Sequence, residues 1–557
     1  MTYKSIGFII LFIYQCIFLI INAEASEQPS NEGLLNFDGS LGINSGTYNV
    51  NGISPRDRDF KYSLTGGVNV NFLGINFPFS MVVSEQQREF TQPSNQIGVS
   101  PTYKWITFHS GWRSLTYSPF TLAGHTFLGA GFDLNPGNLR FSAMYGRFNK
   151  ACSGGDSLHL YASPPAYDRT GFAAKLGFGS STNFLDLILL RAKDNVSSLD
   201  SSHAALLKPE ENMVLGLSGK LNLFSRLFVD LDVSTSFYTN DTRAGSMPDS
   251  SSGFIKSLNS IYPYSMSSQF TTAFQTSLGW REPNYGIKLS YKRVDPDFKT
   301  MGAYFIESDV ENIVIAPNIN LFDRTLRLNG SFGWQRDNLA NTKLQQSQRI
   351  ISSAGISFNK ANYGIDFKYS TYGITQYKGL NPLIDSLKIA RVNNSFNGSA
   401  RLSFQTDSLL NNIILIGAFQ TLNDLNSRTA ATSQSDNYTA NLAYQGNLLS
   451  AGLFFGIGLN YVQSVTSGST MVFLGPTAQI GKTIDNLSLS SSFSYQVQTI
   501  NSVSNGGTAS VNLQAGYQLN KHNSINLNVN VINSGSSTVQ SPSFTEYRSN
   551  LGYIYNF

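Results

Sequence analysis

Counting back from the C-terminus by twos gives Phe557, Tyr555, Tyr553 and Leu551, while Asn556, Ile554, Gly552 and Asn550 between them are mostly polar or small. One segment earlier, Ile525, Leu527, Val529 and Val531 alternate with Asn526, Asn528 and Asn530. Successive side chains on a strand point to opposite faces, so each segment has one apolar face and one amide face. An Asn-rich face cannot form a dry core, because buried amides without partners are costly. The apolar face therefore meets something apolar and the other meets water. The same pattern recurs at Phe60, Tyr62, Leu64, Val68, Val70 and Phe72, and at Ile75, Phe77, Phe79, Met81 and Val83. Tyr285, Ile287, Leu289 and Tyr291 oppose Lys288, Ser290 and Lys292, and Tyr363, Ile365, Phe367 and Tyr369 oppose Asp366 and Lys368.

The connections fall into two classes. Short ones are read at Leu73-Gly74, Tyr103-Lys104, Asn135-Pro136-Gly137, Ser180-Ser181, Phe224-Ser225 and Glu282-Pro283, and again at Asp323-Arg324, Lys360-Ala361, Asp407-Ser408, Gly446-Asn447, Asp485-Asn486 and Lys521-His522. Between them lie longer stretches rich in Ser, Asn and Gly, such as Ala151 to Arg169, Thr239 to Ser265, Gly373 to Val392 and Leu422 to Asp436. With a first strand at Leu34 to Ile43 and a last at Tyr547 to Phe557, the series predicts about 26 antiparallel strands, within a range of roughly 22 to 26, in an all-β up-and-down transmembrane barrel. An even number closes the barrel only if the first strand pairs with the last. A soluble sandwich would need a dry inner face, and here the polar face carries charge or amide.

Composition supports this reading. Charged residues make up 13% of the chain, about half the usual share. The 39 Phe and 27 Tyr argue against disorder, and a net charge of +4 without a basic patch excludes a nucleic-acid footprint. Residues 1–25 read as a secretory signal peptide: Lys4 supplies the charge, Ile6 to Ile21 the apolar core, and Ala23-Glu24-Ala25 the cleavage pattern, with Ser26 first in the mature chain. A lipoprotein reading at Cys16 fits less well, because the apolar run continues past it, and the run is short for an uncleaved anchor helix. Residues 26–557 then form a single barrel domain, with no plug domain expected ahead of it. Cys152 is left without a disulfide partner, and the histidines at 109, 125, 159, 203 and 522 lack metal-ligand spacing, so neither metal nor cofactor is expected.

The stretch from Ser100 to Asn138 is distinctive: Ser100-Pro101-Thr102-Tyr103-Lys104-Trp105, then Trp112-Arg113, then Thr121-Leu122-Ala123-Gly124-His125-Thr126-Phe127-Leu128-Gly129-Ala130-Gly131, ending in Asn135-Pro136-Gly137-Asn138. Over residues 60–148 the chain resembles a group of large, uncharacterised outer-membrane β-barrel proteins of Bacteroidota. The C-terminal pattern of Leu551, Tyr553, Tyr555 and Phe557 resembles the insertion signal read by the outer-membrane assembly machinery of Gram-negative bacteria. The resemblance carries no assigned chemistry; a barrel of this kind is expected to sit in outer-membrane lipid, and an even strand number with short periplasmic turns predicts both termini in the periplasm.

Three sets of candidate site residues follow. Arg113, Tyr117, Phe120 and His125 are candidates for a loop folded into the lumen or a docking patch, against the simpler reading of Trp105 and Trp112 as interfacial girdle residues with glycines that let strands bend. Phe254, Ile255, Tyr262 and Tyr264 lie in an unusually apolar loop. It is predicted to pack against the barrel wall, a partner or itself, or to constrict the channel. Leu380 to Ala390 is a candidate short capping helix. Arg140, Arg147, Lys175, Asp186, Asp230, Asp232, Lys288, Lys292, Arg327, Asp366, Lys368 and Arg401 are predicted to face the lumen, because Lys or Arg at mid-bilayer costs about 2–4 kcal/mol. Their mixed signs fit a solvated wall with local ion pairs better than a selectivity ring, which needs one sign at one depth.

For hydrolysis, no trusted nucleophile elbow is present; Asp156 and His159 are the nearest Asp/His pair, and the chain is not expected to be an enzyme. The expected function is passage of hydrophilic solutes or a larger cargo through a polar lumen. The alternative is a loop-plugged platform for surface lipoproteins or secretion components.

Overall fold

The computed structural model describes residues 35–72, 74–84, 96–153, 165–200, 204, 207–245, 262, 264–380, 388–536 and 542–557. The signal-peptide region, Phe254, Ile255, Asp156 and His159 lie outside these residues, as does most of the proposed helix at 380–390, whose last residue, Ala390, begins a strand.

Period-2 alternation becomes a continuous ring of antiparallel hydrogen bonding. Each strand pairs with its neighbour in sequence, and Leu35–Asn51 pairs with Phe544–Asn556 in a register running from Ser40↔Asn556 to Asn51↔Thr545. The short segments Gln96–Val99 and Thr102–Tyr103 share one place in the ring, between Ile75–Ser84 and Ile106–Thr116. Counted together they give a closed barrel of 26 strands. The first strand is longer than its sequence pattern, continuing past Ile43 to Asn51, because Asn44 to Thr47 has partners on both sides and Tyr48 to Asn51 stay paired with the last strand. At ordinary strand spacing and tilt, a circular ring of this size is roughly 50 Å across.

Eleven of the twelve short connections fall where the sequence places them. The exception is Gly446-Asn447, which stays in the strand Ser435–Leu448 while the chain turns at Leu449–Ala451 and Gly452. At the opposite end the loops are not uniformly long. Leu453–Thr466 and Ser469–Ile484 are joined by two residues, and so are Leu487–Ile500 and Val503–Gln518. In the second of these turns Asn501 and Ser502 have φ of 49° and 66°, a left-handed pair that matches strand twist and lets a hairpin close in two residues.

The outward face carries the large exposed apolar side chains, among them Leu185, Leu187, Leu215, Leu289, Phe332, Ile365, Leu415, Ile457 and Leu513. Leu551 and Tyr553 belong to this band, and Tyr555, beside them by alternation, packs edge-on against Phe557 at 5.0 Å. Trp280 lies on it near the short-turn end, with Trp105 exposed in a short turn there, and Trp112 shares the outward parity of Phe108. The described residues contain no helix long and apolar enough to cross a membrane. Two of the three buried apolar clusters lie inside the ring, against one side of it.

Candidate functional site: an inward strap and a two-sided lumen

Two connections at the long-loop end turn inward. After Ile106–Thr116, a register shift between Ser114 and Thr116 turns the chain, and Tyr117 to Leu122 drops behind the wall before Ala123–Leu134 begins. Between Tyr285–Val294 and Val310–Leu321, residues 295–309 form a strap that meets the first inturned segment. Ala123 N donates to Gly302 O at 2.8 Å, and Thr300 Oγ1 donates to Thr121 O at 2.9 Å. Gly302 is needed there: a Cβ would stand 2.5 Å from Thr121 O and 2.8 Å from Leu190 Cδ2.

Apolar side chains hold the strap down. Met301 joins Tyr117, Leu122, Phe127, Met144, Phe148, Ile188, Leu190 and Val214 in one buried cluster. Phe298 joins Phe120, Ala273, Val294 and Val310 in another. The strand residues in both clusters alternate with outward ones such as Tyr145, Leu187 and Leu215, so the clusters lie inside the ring. His125 stacks on Tyr304 at 4.3 Å between ring centroids, and Tyr304 OH accepts from Thr126 N at 3.1 Å.

Polar contacts fix the strap's register. Asn212, fully buried, accepts from Met301 N at 3.0 Å and donates to Lys299 O at 3.3 Å, Ser236 Oγ at 2.8 Å and Phe237 O at 3.1 Å. Lys299 Nζ reaches Glu210 Oε1 and Tyr238 OH, both at 2.8 Å. Glu210 also accepts from Tyr238 OH and from Arg169, which grips Asp194 at 2.7 and 3.0 Å. Burial raises the Glu210 carboxyl, but hydrogen bonds from Lys299 and Tyr238, with the Lys299 and Arg169 charges, outweigh it and hold it below the usual glutamate range.

A second inward network lies nearer the short turns. Arg140 binds Asp186 through Nε and Nη2 at 2.9 and 3.0 Å, with Asp186 almost fully buried. Tyr117 OH and Ser142 Oγ are 2.5 Å apart, and Lys175 lies over the Tyr117 ring. His109 bridges Ser100 Oγ at 2.8 Å and Asp133 Oδ2 at 2.9 Å. A hydroxyl and a carboxylate on the two ring nitrogens is the wiring of a nucleophile relay. Ser100 N is committed, donating to Pro78 O at 3.1 Å, and residue 101 is proline, so neither position offers a donor to an oxyanion. The bridge serves as a cross-strand staple beside the interrupted strand.

By register and alternation, Arg140, Lys175, Asp186, Asp230, Asp232, Lys288, Lys292, Arg327, Asp366, Lys368 and Arg401 all lie on the inward face. Arg147 does not. It lies opposite Thr170 and Leu128, on the outward face of Tyr145, and approaches Asp168 at 3.8 Å near the long-loop end. Its seven-residue separation from Arg140 is odd, so the two cannot share a face on one strand. Arg113 lies inward against Gly98 and donates to Ser80 Oγ at 2.8 Å. Tyr117, Phe120 and His125 are buried within the inturned region.

Tyr262 is not a constriction. It packs on the outward side with Met213 and Phe237, with Leu189 and Tyr264 alongside, and its OH donates to Glu211 O at 2.9 Å. Met213 and Phe237 share the parity of the lipid-facing residues, so Tyr262 and Tyr264 lie against the outer wall. The strap was missed by sequence reading, although Phe298, Met301, Tyr304, Phe305 and Ile306 in one connection were a visible signal.

The opposite side of the lumen differs in kind. The six strands Ser435–Leu448, Leu453–Thr466, Ser469–Ile484, Leu487–Ile500, Val503–Gln518 and Asn523–Gly535 contain two acidic or basic residues, Asp436 and Lys482. Both face outward, opposite Val465 and Leu453. The inward faces are Asn, Gln, Ser, Thr, Gly and a few apolar residues. They remain open to solvent at many positions, including Gln514 and Asn526.

No protein-family model matches the chain, and no curated protein matches it. Among solved structures it is similar to the FrpB iron transporter from Neisseria meningitidis, at 11% identity and a TM-score of 0.38, over 93% of this chain and 81% of that one. It is similar to the copper transporter OprC at 7% identity and a TM-score of 0.43, over 96% and 82%. OpdK of Pseudomonas aeruginosa, solved with vanillate, aligns at 12% identity and a TM-score of 0.31, over 67% and 98%. Likeness at this level is one of architecture, antiparallel strands closed into a barrel.

Proposed function

We propose that the chain forms an aqueous passage for hydrophilic solutes through an outer membrane, with its long-loop end outside and both termini in the periplasm. The observation that carries this reading is the contrast between the two sides of the lumen. The strap and the inturned segment cover one side, while the inward amides and hydroxyls of Ser435–Leu448 to Asn523–Gly535 stay open to water. A ring roughly 50 Å across is far wider than one strap of about 15 residues can fill. An apolar outer face with a polar, solvated inner face is what a bilayer-spanning aqueous barrel requires.

The test is conductance of the purified full chain in planar bilayers. Stable ohmic steps support the passage. Membranes that contain the folded barrel and never conduct overturn it and leave the platform for surface lipoproteins or secretion components.

A further inference from the structure

The uncharged side of the lumen carries a built recess. Near the short-turn end, Phe454, Asn44, Ser488, Gln514, Asn526 and Asn550 surround about 320 Å³ of free space, within the range of small-molecule sites. Phe454 lies inward on its strand, opposite in parity to the exposed Ile457 and Leu459, and its ring covers Gly481, where a Cβ would stand 2.1 Å from it. The side chains of Asn44, Gln514, Asn526 and Asn550 have no protein hydrogen-bond partner among the described residues. Asn528 and Asn550 also line a second recess toward the long-loop end, which is charged, with Asp57, Arg58, Lys61 and Arg548 around it. The amides and hydroxyls of the first recess, from Asn44 and Ser488 to Gln514, Asn526 and Asn550, form an uncharged track along the wall.

We propose that this track binds an uncharged, hydroxyl-rich oligosaccharide in transit, a reading that rests on the lumen being a passage. Each free amide offers a donor and an acceptor together, matching sugar hydroxyls, which also both donate and accept. Neutral amides bind them without the desolvation cost of a buried charge. The exposed Phe454 face supplies a flat apolar surface for the C–H face of a pyranose ring. Asp, Glu, Lys, Arg and His are absent from the residues lining the first recess, so it offers an ionic solute such as a nucleotide no fixed charge.

The experiment titrates maltohexaose against the purified full chain in detergent by calorimetry, which reads binding whether or not the barrel conducts. The same sugar is then added to planar bilayers, where it is read as transient current block. Polyethylene glycol of similar size and an anionic oligosaccharide serve as comparison probes. Saturable binding of maltohexaose is expected. Phe454→Ala weakens it by about fivefold, the worth of one ring contact, and Asn526→Ala/Asn550→Ala weakens it further. Glu282→Gln, in a short turn outside the track, leaves it unchanged. Binding unaffected by the track substitutions, equal binding of polyethylene glycol, or no binding to folded protein each overturns the proposal. Binding in detergent by a barrel that never conducts overturns the passage reading instead and leaves a sugar-holding surface.

Discussion

Removing the Asn212 side chain tests whether the strap is held as a unit. Asn212→Ala strips the acceptor from Met301 N and one of the donors from Lys299 O, both inside a buried cluster. A buried polar group left without its partner costs about 1–3 kcal/mol. The wall loses no backbone pairing, so the cost falls on the closed state of the strap and not on the barrel. Opening of the strap should then rise about five- to 150-fold, since each 1.4 kcal/mol is a factor of ten. Hydrogen exchange followed by mass spectrometry reads this directly: amides in 295–309 exchange faster by that factor, while peptides from Leu487–Ile500 and Val503–Gln518 keep the wild-type rate. Unchanged exchange in the strap, or an equal rise in every strand, would refute the reasoning. The first outcome means Asn212 does not secure the strap, and the second means it supports the whole barrel.

Gly302→Leu should displace the strap more completely, because its Cβ meets Thr121 O and Leu190 at non-bonded distances too short to hold; limited proteolysis within 295–309 is the readout. Glu210 gives a pH dependence of known sign. Its folded carboxyl titrates below the ordinary value of 4.5, so its contribution is present above that value and lost as pH falls through the lowered one. Strap exchange should therefore accelerate in acid, show no such step between pH 6 and 8 (about the physiological range), and lose the acid step in Glu210→Gln. Arg140→Met leaves Asp186 buried without its bidentate partner and should cost about 3–5 kcal/mol in denaturant unfolding, with much of it recovered in Arg140→Met/Asp186→Leu.

The barrel was legible because lipid outside and water inside impose one rule on every strand. Tyr285 to Tyr291 and Tyr363 to Tyr369 show their faces by alternation alone, and even-numbered closure fixes Leu35–Asn51 beside Phe544–Asn556. By register, eleven of the twelve predicted lumen charges share the inward face, while Arg147, an odd number of residues from Arg140 on the same strand, lies on the other. The rule ends where strands end. Alternation says nothing about which way an apolar connection folds, so the Tyr262 loop and the strap looked alike in sequence. Tyr262 lies on the outer wall with Phe237, and Met301 of the strap lies inside with Leu190. The difference rests on long-range partners such as Asn212, 89 residues from Met301 in sequence.

The two-residue turns at Ser467-Gly468 and Asn501-Ser502 give the mouth an uneven lip. Where other connections carry chain beyond the strand ends, these hairpins close in two residues, so nothing from them folds back over the uncharged wall. In the proposed passage, a long solute would enter along that side without displacing a connection, whereas on the opposite side it would meet the strap first.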